Sequence, residues 1–145
     1  MHFVFEFTAT LCAGLSSGAA LYVTLVEHPA RIECGTALAV TVFGPSYRRA
    51  TVMQAVLAAI AFLLSIGAWV STSNSGWLLG GSFVVAVIPF TLIAILPTNK
   101  KLLDPSLDRS SDAALRLLKK WGRLHAIRTV LGMVAFAVFL LSRLR

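Results

Sequence analysis

Apolar residues fill four stretches of this 145-residue chain, at about 3–26, 50–70, 77–96 and 125–141. Each approaches the roughly 20 residues that carry a helix across the hydrocarbon core of a bilayer. The segment between the second and third stretches, 71–76 (STSNSG), is short, polar and uncharged. The other two connections, 28–49 and 97–124, are longer and basic. This pattern predicts an all-α fold in one domain, a transmembrane four-helix bundle with up-and-down connectivity.

Local signals refine the outline. The first stretch is rich in small residues, with Gly14 and Gly18 in GxxxG spacing among Ala13, Ser17, Ala19 and Ala20. Small side chains let helix backbones approach closely in lipid, so this face serves either packing within the chain or a homo-oligomer. The stretch has no basic leader and carries Glu6, so it is expected to stay as a helix rather than be cleaved as a secretion signal. Pro29 should stop or bend it after Glu27 and His28.

Segment 36–43 (TALAVTVF) is apolar but too short to span, and Gly44-Pro45 follows it. It is therefore expected to lie at the interface or re-enter the bundle, with Ser46 capping the second helix. That helix is apolar apart from Gln54 and Ser65, which read as packing. The third should open on Trp77 as an interfacial anchor, kink at Pro89 with Thr91 satisfying a freed carbonyl, and end at Pro97-Thr98-Asn99. A serine cap at 110 or 111 with Asp112 in the first turn predicts an amphipathic helix over about 111–124. Its basic side (Arg116, Lys119, Lys120, Arg123) should lie along the membrane surface before the last span begins.

Composition settles the class. Hydrophobic residues make up 57% and charged residues 13% of the chain, and the mean hydropathy is +0.82, so the protein reads as integral to a membrane. The net charge of +7 arises beside the apolar spans without a nucleic-acid motif, which excludes nucleic acid as a partner and gives the charge a topological role. Ten Lys/Arg fall in the two long connections, against Arg143 and Arg145 at the other face. Loops 28–49 and 97–124 are then cytoplasmic and both termini lie on the opposite side. Cys12 and Cys34 fall at different depths and should not pair.

Chemistry concentrates at one end. At 3.6 residues per turn, Leu118, Trp121, His125, Arg128 and Gly132 share one helix face. Ionisable groups where a helix enters a membrane are costly and point to a functional site. Up-and-down connectivity brings Glu27, His28, Tyr47, Thr98 and Asn99 to the same end, around a candidate pocket.

Taken together, His28-Pro29 after a Gly-rich helix, Pro89-Phe-Thr91, Pro97-Thr98-Asn99, and Trp121 with His125 and Arg128 resemble the anthrone oxygenase-like family of small four-helix membrane proteins. The resemblance runs over nearly the whole chain. It implies oxidation of an anthrone, or a simpler flat phenolic ligand, with molecular oxygen as co-substrate and no cofactor. The family's polar signature falls on His28, Asn99, Trp121, His125 and Arg128.

In that chemistry His125 or His28 is the base, Arg128 and Asn99 stabilise the enolate oxygen, and Trp121, with Thr98 and Tyr47, contacts a small hydrophobic aromatic ligand. A non-haem metal held by His28, His125 and Glu27 is a second option, although adjacent residues on a helix point about 100° apart. A non-catalytic accessory subunit is the alternative from another class, and it requires the polar stripe to be consumed in interhelix contacts with no cavity left. A transporter would need polar residues along the whole bundle, which the second and third stretches do not provide.

Overall fold

The structure, a computed structural model, describes residues 2–144. Four long helices make up the bundle: α1 (His2–Glu33), α2 (Thr36–Thr72), α3 (Gly76–Leu102) and α4 (Asp112–Arg143), each long and apolar enough to cross a membrane. No strand occurs among the described residues. α1 packs on α2 and α4, and α3 completes the ring by packing on α2 and α4. The protein is an integral membrane protein built as a helical bundle.

The rods are longer than expected, and the long connections are short. α2 spans 37 residues, about 55 Å, against a hydrocarbon core of about 30 Å, so its first turns project beyond the core. Segment 36–43 is therefore not a separate re-entrant or surface-lying piece but the first part of α2. Ala39, Val40 and Phe43 are buried against Leu118 and Trp121 of α4, on the stripe that Tyr47 and Gln54 continue at helical spacing. Pro45 sits inside the helix, where the loss of one N–H does not outweigh that packing.

Only Cys34 and Gly35 separate α1 from α2. A reversal this tight demands the left-handed backbone that Gly35 adopts, with φ of 101°. The connection from α3 to α4 shrinks to residues 103–111. There Asp104 accepts hydrogen bonds from the Ser106 hydroxyl and amide, which hold its carboxyl below the usual carboxylate range.

Three expected breaks are bridged instead. Pro29 does not stop α1, and Pro97-Thr98-Asn99 lies inside α3 rather than after it. In both helices one π turn, Val23–Glu27 or Thr91–Ile95, precedes the proline by one residue. The His28 amide reaches back to the Val23 carbonyl and the Leu96 amide to the Thr91 carbonyl, five residues away in each case. The wider turn relieves the clash between a proline ring and the preceding turn, so both helices run on. Segment 111–124 likewise does not lie along the surface and turn. Ser111 caps its first turn, accepting from the Ala114 amide, but the helix continues unbroken to Arg143 because Ala114, Leu118 and Trp121 are buried on α2 and α3.

Small residues draw the rods together at the other end. Gly14 faces Phe136 of α4, so it is used within the chain, whereas Gly18 is exposed and a Cβ added there would meet nothing within 4 Å. Trp77 and Phe139 are fully buried, their ring centroids 5.3 Å apart. Gly80 lies directly under the Phe139 ring. The Asn74 side chain ties the short turn at this end to α4 by donating to the Ser142 carbonyl at 2.9 Å. Cys12 is buried and Cys34 exposed, both as free thiols.

A methyl group on Gly80 has no room without moving Phe139. Gly80→Ala is expected to destabilise the bundle by about 1–3 kcal/mol, read as a lowered thermal unfolding midpoint in detergent. An unchanged midpoint would show that Phe139 is not packed against that backbone.

Candidate functional site: a cavity with unpaired polar groups

A cavity of about 210 Å³ lies among the helices toward the end that carries residues 103–111. It is larger than the ~150 Å³ apolar cavity that suffices to hold benzene. α2 and α3 supply most of its wall, α4 contributes Trp121, His125 and Arg128, and Val23 and Arg31 come from α1. Thr51, Ile88 and Leu92 belong to that wall and are also exposed on the outer face of the bundle, so the cavity opens between α2 and α3.

Of the residues singled out in the sequence, His125, Arg128, Asn99, Trp121 and Tyr47 all line the cavity. His28 and Thr98 are buried nearby but form no part of its wall. The imidazole of His28 donates from Nε2 to the Leu118 carbonyl at 3.0 Å and lies over Gly122, where an added Cβ would come within 2.7 Å of that nitrogen. His28 and His125 flank Trp121, with ring centroids 4.9 and 4.6 Å from it. Phe43 meets the same indole edge-on at 5.3 Å. The indole is thereby fixed by aromatic contacts on several sides.

The tautomer of His125 follows from its neighbours. A guanidinium only donates, so toward Arg128 Nη1, 3.5 Å away, His125 Nε2 accepts. Nδ1 then carries the hydrogen and donates to the Thr24 hydroxyl, 3.0 Å away, whose own proton goes to the Ala20 carbonyl at 2.9 Å. Thr129 braces the arrangement, 2.8 Å from Thr24 and bonded to the His125 carbonyl. Neither threonine was singled out from the sequence; apart from their shared period along α1 and α4, nothing there pairs residues more than 100 positions apart.

Two cations near this end differ in their partners. Arg31 is paired with Glu27 and bonded to Ser46, which therefore does not cap α2 but joins this cluster. Arg128 has no carboxylate partner among the described residues, and the Nε of each arginine is buried without an acceptor. Asn99 is wholly buried with neither amide atom bonded, and Trp121 Nε1 and Thr91 Oγ1 are likewise without partners. Thr91 thus does not satisfy the carbonyl freed near Pro89. Such groups cost free energy in a dry site unless something else completes them. Gln54, which the sequence reading assigned to packing, is buried in the cavity wall as well.

The donors for a non-haem metal are not assembled. No three His, Cys, Asp or Glu side chains come together among the described residues. Glu27 is engaged by Arg31 and Ser46, and His28 Nε2 by Leu118. Nor does the accessory-subunit alternative find the stripe consumed: a cavity is present, and several of its polar groups lack partners.

The structure is thus a four-helix membrane bundle with a half-open, largely apolar cavity and unpaired hydrogen-bonding groups at one end. The family model described as anthrone oxygenase matches residues 43–138, and the chain belongs to that family. The match takes in Tyr47, Asn99, Trp121, His125 and Arg128, whereas His28 precedes it. No curated protein and no solved structure matches the chain.

Two outcomes test this geometry. Replacing an unpaired cation by an apolar side chain removes its desolvation cost, so Arg128→Leu is expected to raise the stability of the ligand-free protein by about 1–3 kcal/mol, read from thermal unfolding in detergent. A clear loss of stability would mean that the protein itself satisfies the guanidinium. Nitrogen NMR of the His125 ring should show the Nδ1-protonated form, and Thr24→Val should abolish that preference.

Proposed function

We propose that the protein oxidises a flat, oxygenated aromatic molecule with molecular oxygen, using the cavity as its active site. The unpaired Asn99 amide, lining the same cavity as an Arg128 guanidinium that has no counter-ion among the described residues, carries this reading. Together they suit a ligand oxygen that gains negative charge during reaction. The family supports the same chemistry, since an anthrone carries such an oxygen and a weakly acidic ring CH₂ across from it.

His125 is the base in this scheme, because it lines the cavity with Nε2 held only by a long bond from Arg128 while His28 is turned to Leu118. It takes a proton from the ring CH₂, and the electrons move onto the ligand oxygen, held by Arg128 and Asn99. The electron-rich enolate passes one electron to molecular oxygen, and the two radicals join at the ring carbon as a peroxide. His125 returns the proton to give the hydroperoxide. Loss of water, with the second ring proton, leaves a carbonyl, so one oxygen atom enters the product and the other leaves as water. The protein supplies position, a base and charge stabilisation, and no cofactor takes part. Trp121 stacks on the ring system, and His28 holds Trp121 in place.

Ligand access runs from the bilayer between α2 and α3, past Thr51, Ile88 and Leu92. Basic residues concentrated at the cavity end of the bundle support a cytoplasmic-leaflet position for that end.

Oxygen uptake by the purified protein with anthrone tests the proposal. His125→Ala is expected to lower the enzymatic rate about 10²–10⁴-fold, the usual range for a lost general base. Arg128→Leu should lower it about 10²–10³-fold, as for a lost oxyanion donor, despite the variant's greater stability. Rates in both variants equal to the parent's would overturn the assignment.

A further inference from the structure

The cavity continues well past the groups that serve the reaction. Gln54 lies seven residues beyond Tyr47 along α2, and Thr91 eight residues before Asn99 along the antiparallel α3. Both displacements run in the same direction, away from the 103–111 end, by roughly 10–12 Å at the rise of a helix. Both residues line the same cavity as Asn99 and Arg128. The wall between these levels is mostly apolar, including Val23, Leu92 and Ile95.

Neither polar side chain is accounted for by the fold. Gln54 is 2% exposed in the cavity wall, where a buried primary amide has several bonds to satisfy. Thr10, Thr24, Thr41, Thr72 and Thr129 each return the hydroxyl to the carbonyl four residues back, the usual way to satisfy a threonine in a helix. Thr91 makes no such bond, and its Oγ1 is buried without a partner. At mid-membrane depth no bulk water completes either group.

We infer that Gln54 and Thr91 form a second polar subsite, which takes an oxygen substituent on the far edge of the same aromatic ligand whose near oxygen meets Arg128 and Asn99. The inference rests on the cavity being the ligand site proposed above. It narrows the ligand class to fused aromatics with oxygen at both ends of the ring system, and it makes Gln54 and Thr91 specificity-determining residues. A hydroxyl at that edge donates to the Gln54 carbonyl or accepts from its NH₂, and Thr91 bonds the same oxygen.

The test compares 2-naphthol with naphthalene-2,6-diol, which differ by one hydroxyl at the far edge, as ligands of the full-length protein in one detergent. Binding is measured by equilibrium dialysis without oxygen turnover. The parent should bind the diol about three- to tenfold more tightly, the usual range for one added hydrogen bond. Gln54→Leu should bind 2-naphthol as the parent does and lose the preference for the diol, and Thr91→Val, similar in shape, should lose part of it. Arg128→Leu should weaken both probes alike.

If 2-naphthol binding depends on Arg128 but the parent shows no preference, or both variants retain it, the second subsite is wrong while the cavity reading stands. If the parent binds neither probe, both fall. Should Gln54→Leu not fold, Thr91→Val decides: an unchanged ratio there overturns the inference.

Discussion

Inside a bilayer no water replaces a lost backbone hydrogen bond, and that constraint governs how this chain carries its prolines. Pro29 and Pro97 each remove a donor where a helix is still in or near the membrane. The chain answers both times in the same way, with a five-residue π turn before the proline. Such a turn holds one more residue than an α turn, so it rotates everything downstream by about 100° relative to an uninterrupted helix. His28 follows one of these turns and Asn99 the other. The direction in which the site's amide faces is thus tied to a device that keeps a proline-bearing helix continuous.

The second organising fact is an asymmetry of charge. Two arginines line the cavity, yet the chain neutralises only Arg31, through Glu27 and Ser46. If the aim were merely to keep cations tolerable in a low-dielectric setting, Arg128 would have the same treatment. Instead it shares the wall with an unbonded amide and a fully paired imidazole Nδ1, so the site is short of acceptors rather than of donors. That shortage is what suits the site to the oxygenated ligand proposed above.

Much of the bundle was legible in the sequence, because hydropathy integrates over whole spans. The Leu118, Trp121, His125, Arg128 spacing put three cavity-lining groups on one face, as the structure has them, and Ser111 opened its helix as its side chain suggested. Proline and short apolar runs misled. Pro45 and Pro29 read locally as stops, but the buried Ala39, Val40 and Phe43, and the π turn, outweigh local preference. The Thr24 contact with His125 spans 101 residues, beyond any periodicity. Gln54 was visible as the one primary amide in an apolar helix, yet its significance depends on a cavity that only three-dimensional packing creates.

The two-residue reversal between α1 and α2 has a practical consequence. Its tight geometry pushes Cys34 outward at the tip, while Cys12 is sealed among the helices of the opposite half. The native chain therefore carries one thiol that aqueous reagents reach and one that they do not. A membrane-impermeant maleimide applied to sealed vesicles would report the orientation of the whole bundle without an introduced tag.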